Sequence, residues 1–378
     1  MILLIISLIL LLSWAPISLR RIAAAARAAY DARGVWLKDR LAGGRIHRTV
    51  SVVNFSYTGY RSSLDRRLAL RALPNQRLAN AFGIHNSFAT FDRKVHMNFL
   101  KRSYEAVSKA DHHDWLQLFD HACRVVEGYS DVLGKSSDGI LLASMVRKVC
   151  LRVVMRHLFD SSVEGTSLDH EYQTATDQIN LQWIASKQNH AANQVERSYE
   201  LEQALRSIMK QSPLPPDEAE PVKVLEFLLP AYETLFRLLT RYTRIYRDWL
   251  TTSQEGLRLY PSTKRVYRAV NVSSDTDQSR CGHTIGGDIE AVHLDPNSWG
   301  PDVRQFRPKR FINLTSLQKV AYLPFGTKPH RCPAYAGFGE RLIALLVAAL
   351  CTRFHPSMAS VQLRDASLDG KPKRVFAD

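Results

Sequence analysis

The chain has 378 residues, 45% apolar and 23% charged, with a formal net charge of +15 and a pI near 9.7. That composition excludes disordered, collagen-like and low-complexity proteins, and the length suffices for one large domain or two ordinary ones. The basic excess asks for an acidic counterpart: nucleic acid, an anionic membrane face or an acidic protein. Residues 2–19 (ILLIISLILLLSWAPISL) are almost wholly apolar, and Arg20 and Arg21 follow at once. A run of this length is near the lower limit for a membrane span. A cleaved signal peptide would carry a basic segment ahead of the apolar run, although the alanine-rich stretch 23–29 offers a cleavage site. A signal anchor keeps its positive charge on the cytosolic side, and Arg20, Arg21, Arg27, Arg33, Lys38 and Arg40 all follow the run. The favoured reading is a transmembrane anchor over 1–20, with membrane lipid as partner. A basic linker over 21–60 then leads into one large domain over 61–378.

From about 61 to 211 the sequence reads as helical, with few prolines and apolar residues at three- and four-residue spacing, such as Leu142, Val146, Val149 and Val153. Pro213-Leu-Pro-Pro216 and the acidic residues behind it mark a loop. A long helix is then predicted from about 222 to 249, bent at Pro230, where the ring removes one backbone hydrogen bond. After Tyr260-Pro261 the texture changes. Val266, Tyr267, Val270 and Val272 alternate with polar residues as a short strand, and the Gly/Ser/Asp-rich stretch 271–288 reads as hairpin and loop. Residues 341–354 return to an apolar helix. The fold class is mostly α with a small β region.

Five cysteines lie far apart, Cys123, Cys150, Cys281, Cys332 and Cys351. An odd number without a CxxC pair argues against a disulfide framework and against a structural zinc site. Cys332 stands out in Phe325-Gly-Thr-Lys-Pro-His-Arg-Cys332-Pro-Ala334, among basic residues and ahead of an apolar helix. Both influences favour a thiolate. The segment resembles the haem loop of the cytochrome P450 family: Phe325 seven before the cysteine, the basic His330 two before it, the small Ala334 two after it. It departs at Lys328, where the family places glycine to turn the loop.

Three further segments follow the order of that family. Glu255-Gly-Leu-Arg258 before Leu-Tyr-Pro261 resembles its ExxR helix, where i, i+3 spacing lets carboxylate and guanidinium pair on one face. An isolated ExxR is otherwise an exposed pair worth little. Trp299-Gly-Pro-Asp302 and Phe306-Arg-Pro-Lys-Arg310-Phe311 resemble the aromatic-rich segment whose arginine, here Arg310, joins the Glu–Arg pair. Phe227-Leu-Leu-Pro230-Ala231-Tyr232-Glu233-Thr234 resembles the oxygen-binding groove of the central helix. Ala231 stands where glycine is common, and the resemblance gives Glu233 and Thr234 a catalytic proton relay. Without the resemblance, Glu233 faces solvent and Thr234 bonds to a carbonyl one turn earlier.

The resemblance implies a cytochrome P450 fold with an N-terminal membrane-anchor helix, a haem b cofactor and Cys332 as axial ligand to its iron. It also implies a monooxygenase that takes electrons from an NADPH-dependent flavoprotein reductase and acts on a small organic substrate. By resemblance, Phe325 and His330 belong to the cofactor site, Arg265 to the propionate contacts, and His96 and Lys101 to a further basic contact on an early helix. The wording LLPAYET, with Leu259-Tyr-Pro-Ser-Thr-Lys-Arg265 and the anchor, resembles membrane-anchored filamentous-fungal members. Such a protein would sit on the cytosolic face of the endoplasmic reticulum. About twenty residues separate Thr234 from Glu255, which barely complete one helix and begin another. That shortening leaves the fold class intact and opens a second expectation, a haem-binding remnant without activity. A secreted or nucleic-acid-binding basic protein without haem is a third class, but no nucleic-acid motif backs it, so no nucleic-acid partner is expected.

Overall fold

The computed structural model describes residues 44–58, 62–108, 110–133, 142–161, 163, 167–188, 197–242, 249–270, 284–335 and 337–353. The anchor segment, Cys281 and Val272 lie outside them. Helix α1 (Arg45–Val53) is followed by α2 (Leu64–Ala72), α3 (Gln76–Phe82) and α4 (Arg93–Ser108). The bulk of the core comes from α5 (His112–Leu133), α6 (Leu142–Phe159), α7 (Asp169–Gln188), α8 (Tyr199–Met209) and α9 (Pro221–Tyr242). Helix α6 is the axis of this layer. Met145, Val146, Val149, Cys150, Leu151, Val153, Val154 and Met155 are all buried, and so are Arg147 and Arg152, which pair with Asp177 and Asp169 of α7. Helix α6 packs on α5, α7 and α9. The 61–211 region is helical, as its spacing predicts.

The second half carries α10 (Trp249–Leu259), β1 (Arg265–Ala269), β2 (Thr284–Asp288), α11 (Ile289–His293), α12 (Pro296–Trp299), α13 (Ser316–Ala321) and α14 (Phe338–Arg353). The strands form an antiparallel pair in which Arg265 faces Asp288 and Ala269 faces Thr284. Part of the stretch read as hairpin and loop is therefore strand β2. Asp288 ends it and caps α11, its side chain accepting from Ala291 N–H at 2.9 Å. Helix α14 packs on α5 and α10, which seats the cysteine segment against the helical core. Among the described residues, no helix is long and apolar enough to cross a membrane.

Helix α9 is described to Tyr242 and α10, the helix that bears Glu255 and Arg258, from Trp249; the rest of the helix expected over 222–249 lies outside the described residues. Pro230 does lie inside α9. Its missing N–H leaves the Glu226 carbonyl without its helical donor, and the buried Asn86 supplies one instead, Nδ2 donating at 2.8 Å. A helix interior interrupted in this way is repaired by a side chain from the α3–α4 connection.

Candidate functional site

Glu255 and Arg258 are fully buried. Arg258 donates from Nε to Glu255 Oε2 and from Nη2 to Oε1, both at 2.7 Å. The rest of its guanidinium reaches the His293 and Val303 carbonyls at 2.8 Å each. Arg310 approaches Glu255 Oε1 at 3.3 Å and the Trp299 carbonyl at 2.7 Å. The Arg307 N–H also donates to Glu255 Oε1, at 3.0 Å. This is the predicted triad, and it is no surface pair. A charge pair removed from water is kept only when further hydrogen bonds satisfy its remaining polar atoms, and here backbone from three segments does so.

His293 extends the network and was not legible in the sequence. Its Nε2 accepts from Leu323 N–H at 2.9 Å, so the proton sits on Nδ1, which donates to the Arg258 carbonyl at 3.1 Å. Burial, then Arg258, pushes its pKa down to about 3. The neutral ring thereby ties α10 to the strand of chain that enters the cysteine loop.

That loop begins at Phe325 and turns at Gly326, whose φ of 66° suits glycine. Lys328 is not among the described residues with positive φ, so the departure from glycine there needs no left-handed backbone. Cys332 N–H donates to the Phe325 carbonyl at 2.9 Å and closes the loop. A short 3-10 turn, Pro333–Tyr335, separates the cysteine from α14. Gly339 lets the Phe325 ring lie against that helix, since a Cβ there would meet the ring at 2.7 Å. Cys332 keeps exposed surface, yet crowding by protein raises its thiol pKa, with the Ala334 N–H and Arg71 opposing. The expectation that its surroundings alone favour a thiolate is therefore corrected, because burial outweighs the nearby positive groups.

Around the loop stand four basic side chains from four segments, Arg71, His96 and Arg268 buried and His330 half-buried. Arg71, on α2, donates to Ser87 Oγ at 3.0 Å, and that hydroxyl meets His96 Nδ1 of α4 at 2.7 Å. The His96 ring lies 5.4 Å from that of His330, which lies 5.1 Å from Phe55. Arg268, on β1, covers the other face of this group at 4.7 Å from the Phe55 ring. Burial, then mutual repulsion with Arg268, lowers Arg71 to about 9, and burial lowers Arg268 to about 10. His96 falls to about 4 through burial and then Arg71. His330 falls to about 3 through burial and then Arg71, His96 and Arg268. Among the described residues, no carboxylate shifts any of the four, and His330 Nε2 and Arg268 Nε have no hydrogen-bond partner. Arg71 and Arg268 were missed by sequence reasoning. The strand period of two would have exposed Arg268, which shares a face with Val266; nothing local marks Arg71.

Two expected contacts do not join this group. Arg265 lies on the opposite face of β1, exposed, and pairs with Asp288 at 3.0 Å, because three residues along a strand reverse the face. Lys101 is exposed on α4. Five residues from His96 at 3.6 per turn put it well around the helix.

Glu233 and Thr234 also sit differently. Glu233 is buried and paired with Arg237 at 2.8 Å. Burial raises its pKa although Arg237, Lys187 and Arg77 all oppose. Those cations gather about Trp183 of α7, so the carboxylate addresses α3 and α7 and not the cysteine loop. Thr234 Oγ1 donates to the Pro230 carbonyl at 2.9 Å, the local bond expected without the resemblance.

Comparison with known proteins bears on this arrangement. Residues 251–368 match the cytochrome P450 family model. Cytochrome P450 714B2 of Oryza sativa is 36% identical over 103 residues, covering 27% of this chain and 19% of that protein. A bifunctional cytochrome P450/NADPH–P450 reductase of Bacillus subtilis is 30% identical over 127 residues, 30% of this chain and 10% of that protein. The chain thus matches less than a fifth of the length of these P450 relatives. Ligand-free cytochrome P450 OleT superposes with a TM-score of 0.52 at 14% identity, over 76% of each chain, a likeness of fold.

A P450 fold implies a haem. The residues present fit one: an exposed cysteine beside two buried guanidinium groups, Arg71 and Arg268, that meet no carboxylate among the described residues, with the neutral rings of His96 and His330 as further donors, matches an iron porphyrin with two propionates. Among the described residues, no group of three His, Cys, Asp or Glu could hold a bare metal ion.

Proposed function

We propose that the chain is a haem-thiolate monooxygenase with haem b held by Cys332, using O2 and reductase-supplied electrons to oxidise a small organic substrate. The observation that carries this is the exposed Cys332 beside Arg71, His96, Arg268 and His330, bases without a carboxylate among them. Bound haem would supply oxygen activation, with the Cys332 sulfur holding it as a thiolate. The protein's part is structural and electrostatic. Glu255, Arg258, Arg310 and His293 hold the cysteine loop in place. Phe325 and Gly339 fix its packing on α14. Arg71 and Arg268 would offer cations to the propionates and the neutral His96 and His330 rings N–H donors, and Arg71 also opposes the burial that raises the thiol. For Thr234 to take up the relay, its hydroxyl must leave the Pro230 carbonyl. For Glu233 to do so, the carboxylate must leave Arg237.

Residues 2–19 serve in this reading as a signal anchor that holds the domain at the cytosolic face of the endoplasmic reticulum, within reach of an NADPH-dependent flavoprotein reductase. The basic excess suits an acidic docking face on such a partner. Membrane-anchored fungal proteins of secondary metabolism are the setting we favour.

A second reading has its own observation. About twenty residues separate Thr234 from Glu255, and Glu233 is engaged with Arg237. An internally shortened chain would bind haem without turnover. Haem titration followed by oxygen consumption with reductase and NADPH separates the two. One haem per chain with substrate-dependent oxygen uptake supports the enzyme; one haem with none across a broad substrate panel supports the remnant.

A further inference from the structure

Away from the cysteine loop, the start of α1, the β1–β2 pair and the segment after α12 enclose a cleft of about 410 Å³. Five charged side chains line it: Arg45, Arg265, Asp288, Glu290 and Arg304. The two acids are already matched. Asp288 pairs with Arg265 at 3.0 Å and also caps α11, and Glu290 pairs with Lys264 at 2.9 Å. Arg45 and Arg304 are exposed and have no ion-pair partner among the described residues. The cleft therefore presents two guanidinium groups, from two distant segments, with no anion of their own. Guanidinium offers paired N–H donors in a planar fork that matches phosphate oxygens two at a time.

We infer that this cleft binds the phosphate headgroup of an anionic phospholipid. The choice of a lipid over a free anion or an acidic protein rests on position in the chain. Arg45 opens the first described helix, and the residues just ahead of it are the basic stretch that follows the apolar run 2–19. The inference rests on the anchor reading of that run. A chain tethered to the bilayer meets headgroups at high effective concentration, so a modest site is filled. A concave opening of this size also suits a headgroup better than the broad face of a protein.

The test uses the full chain and sedimentation with vesicles of phosphatidylcholine alone or with phosphatidic acid. Partition into phosphatidylcholine alone reports the apolar run; the ratio between the two compositions reports the cleft. The wild-type ratio should favour phosphatidic acid, and Arg45→Gln with Arg304→Gln should lower it roughly tenfold, on the scale of two basic residues at an anionic surface. The charge-conserving pair Arg45→Lys with Arg304→Lys separates a built site from diffuse attraction, and it should lose most of the preference. Lysine variants that keep the wild-type ratio would overturn the inference, because the basic stretch 20–40 would then account for it. A preference erased by inorganic phosphate at the concentration of the lipid phosphate would overturn it too, reassigning the cleft to a free anion. Absence of any phosphatidic acid preference, with partition into phosphatidylcholine intact, would leave the anchor standing and remove the cleft.

Discussion

Two buried, charge-rich regions lie on either side of the cysteine loop, and they are built on opposite terms. Around Glu255 the carboxylate and Arg258 draw their partners from the chain: each other, Arg310, the Arg307 N–H and the His293 and Val303 carbonyls. Around Cys332 the two cations, Arg71 and Arg268, meet no carboxylate among the described residues, and Arg268 Nε and His330 Nε2 have no partner there. The first region is complete as folded and acts as a frame. The second is suited to an anionic ligand. Buried charge by itself therefore says little about function; whether the chain supplies the counter-ion says much more.

Substitutions can break that contrast, and the largest effect is expected in the frame. Glu255→Gln strands the buried Arg258 guanidinium, while Arg310 keeps Asp302 at 3.3 Å, and it should cost about 3–5 kcal/mol in urea unfolding. A loss below about 1 kcal/mol would mean that the network is not what holds the loop. The cationic cluster should respond with the opposite sign. Arg71→Met removes a buried charge that has no counter-ion, so haem-free protein should gain about 1 kcal/mol, while haem dissociation, followed by transfer to an acceptor protein, should speed up. Destabilisation of both forms would show that Arg71 already has its partner in the chain.

Acidity sharpens the comparison further. His293 has a folded pKa of about 3 and His121 one of about 4, both lowered chiefly by burial, against an ordinary value of 6.5. The unfolded chain binds more protons between those limits, so stability is present above about pH 6.5 and is lost as pH falls from there toward 3. Denaturation midpoints at pH 7 and pH 5 should differ accordingly in the haem-free protein. Replacing His293 with asparagine should flatten that dependence as well as weaken the frame. The smallest effect belongs to α9: Thr234→Ala should change stability by no more than about 0.5 kcal/mol, yet in an active enzyme it should separate oxygen consumption from product formation. Unchanged coupling would remove Thr234 from the relay.

Much of the frame was readable in the sequence because its parts are short motifs of fixed chemistry. The i, i+3 spacing of Glu255 and Arg258, the arginine after Phe306, and the phenylalanine seven residues before the cysteine each survive without three-dimensional context. The cationic cluster was only half readable. His330 and His96 were found, but Arg265 was chosen where Arg268 stands, because a propionate contact was placed by resemblance and not by strand alternation. Arg71 carries no local signal; its burial comes from the packing of α2 against β1 and α4. For Glu233, a helix position gave its type and not its direction, and direction depended on Arg237 one turn on and Trp183 on a separate helix.

The central claim is that Cys332 ligates haem iron within a cluster of bases awaiting its propionates. The most direct measurement is the absorption spectrum of the haem-loaded protein, reduced and exposed to carbon monoxide, for the wild type and for Cys332→Ser. Thiolate ligation gives a red-shifted Soret band in the wild type, and that band should vanish in the serine variant while haem is still bound. A wild type without the band, or a serine variant that keeps it, would contradict the assignment of Cys332.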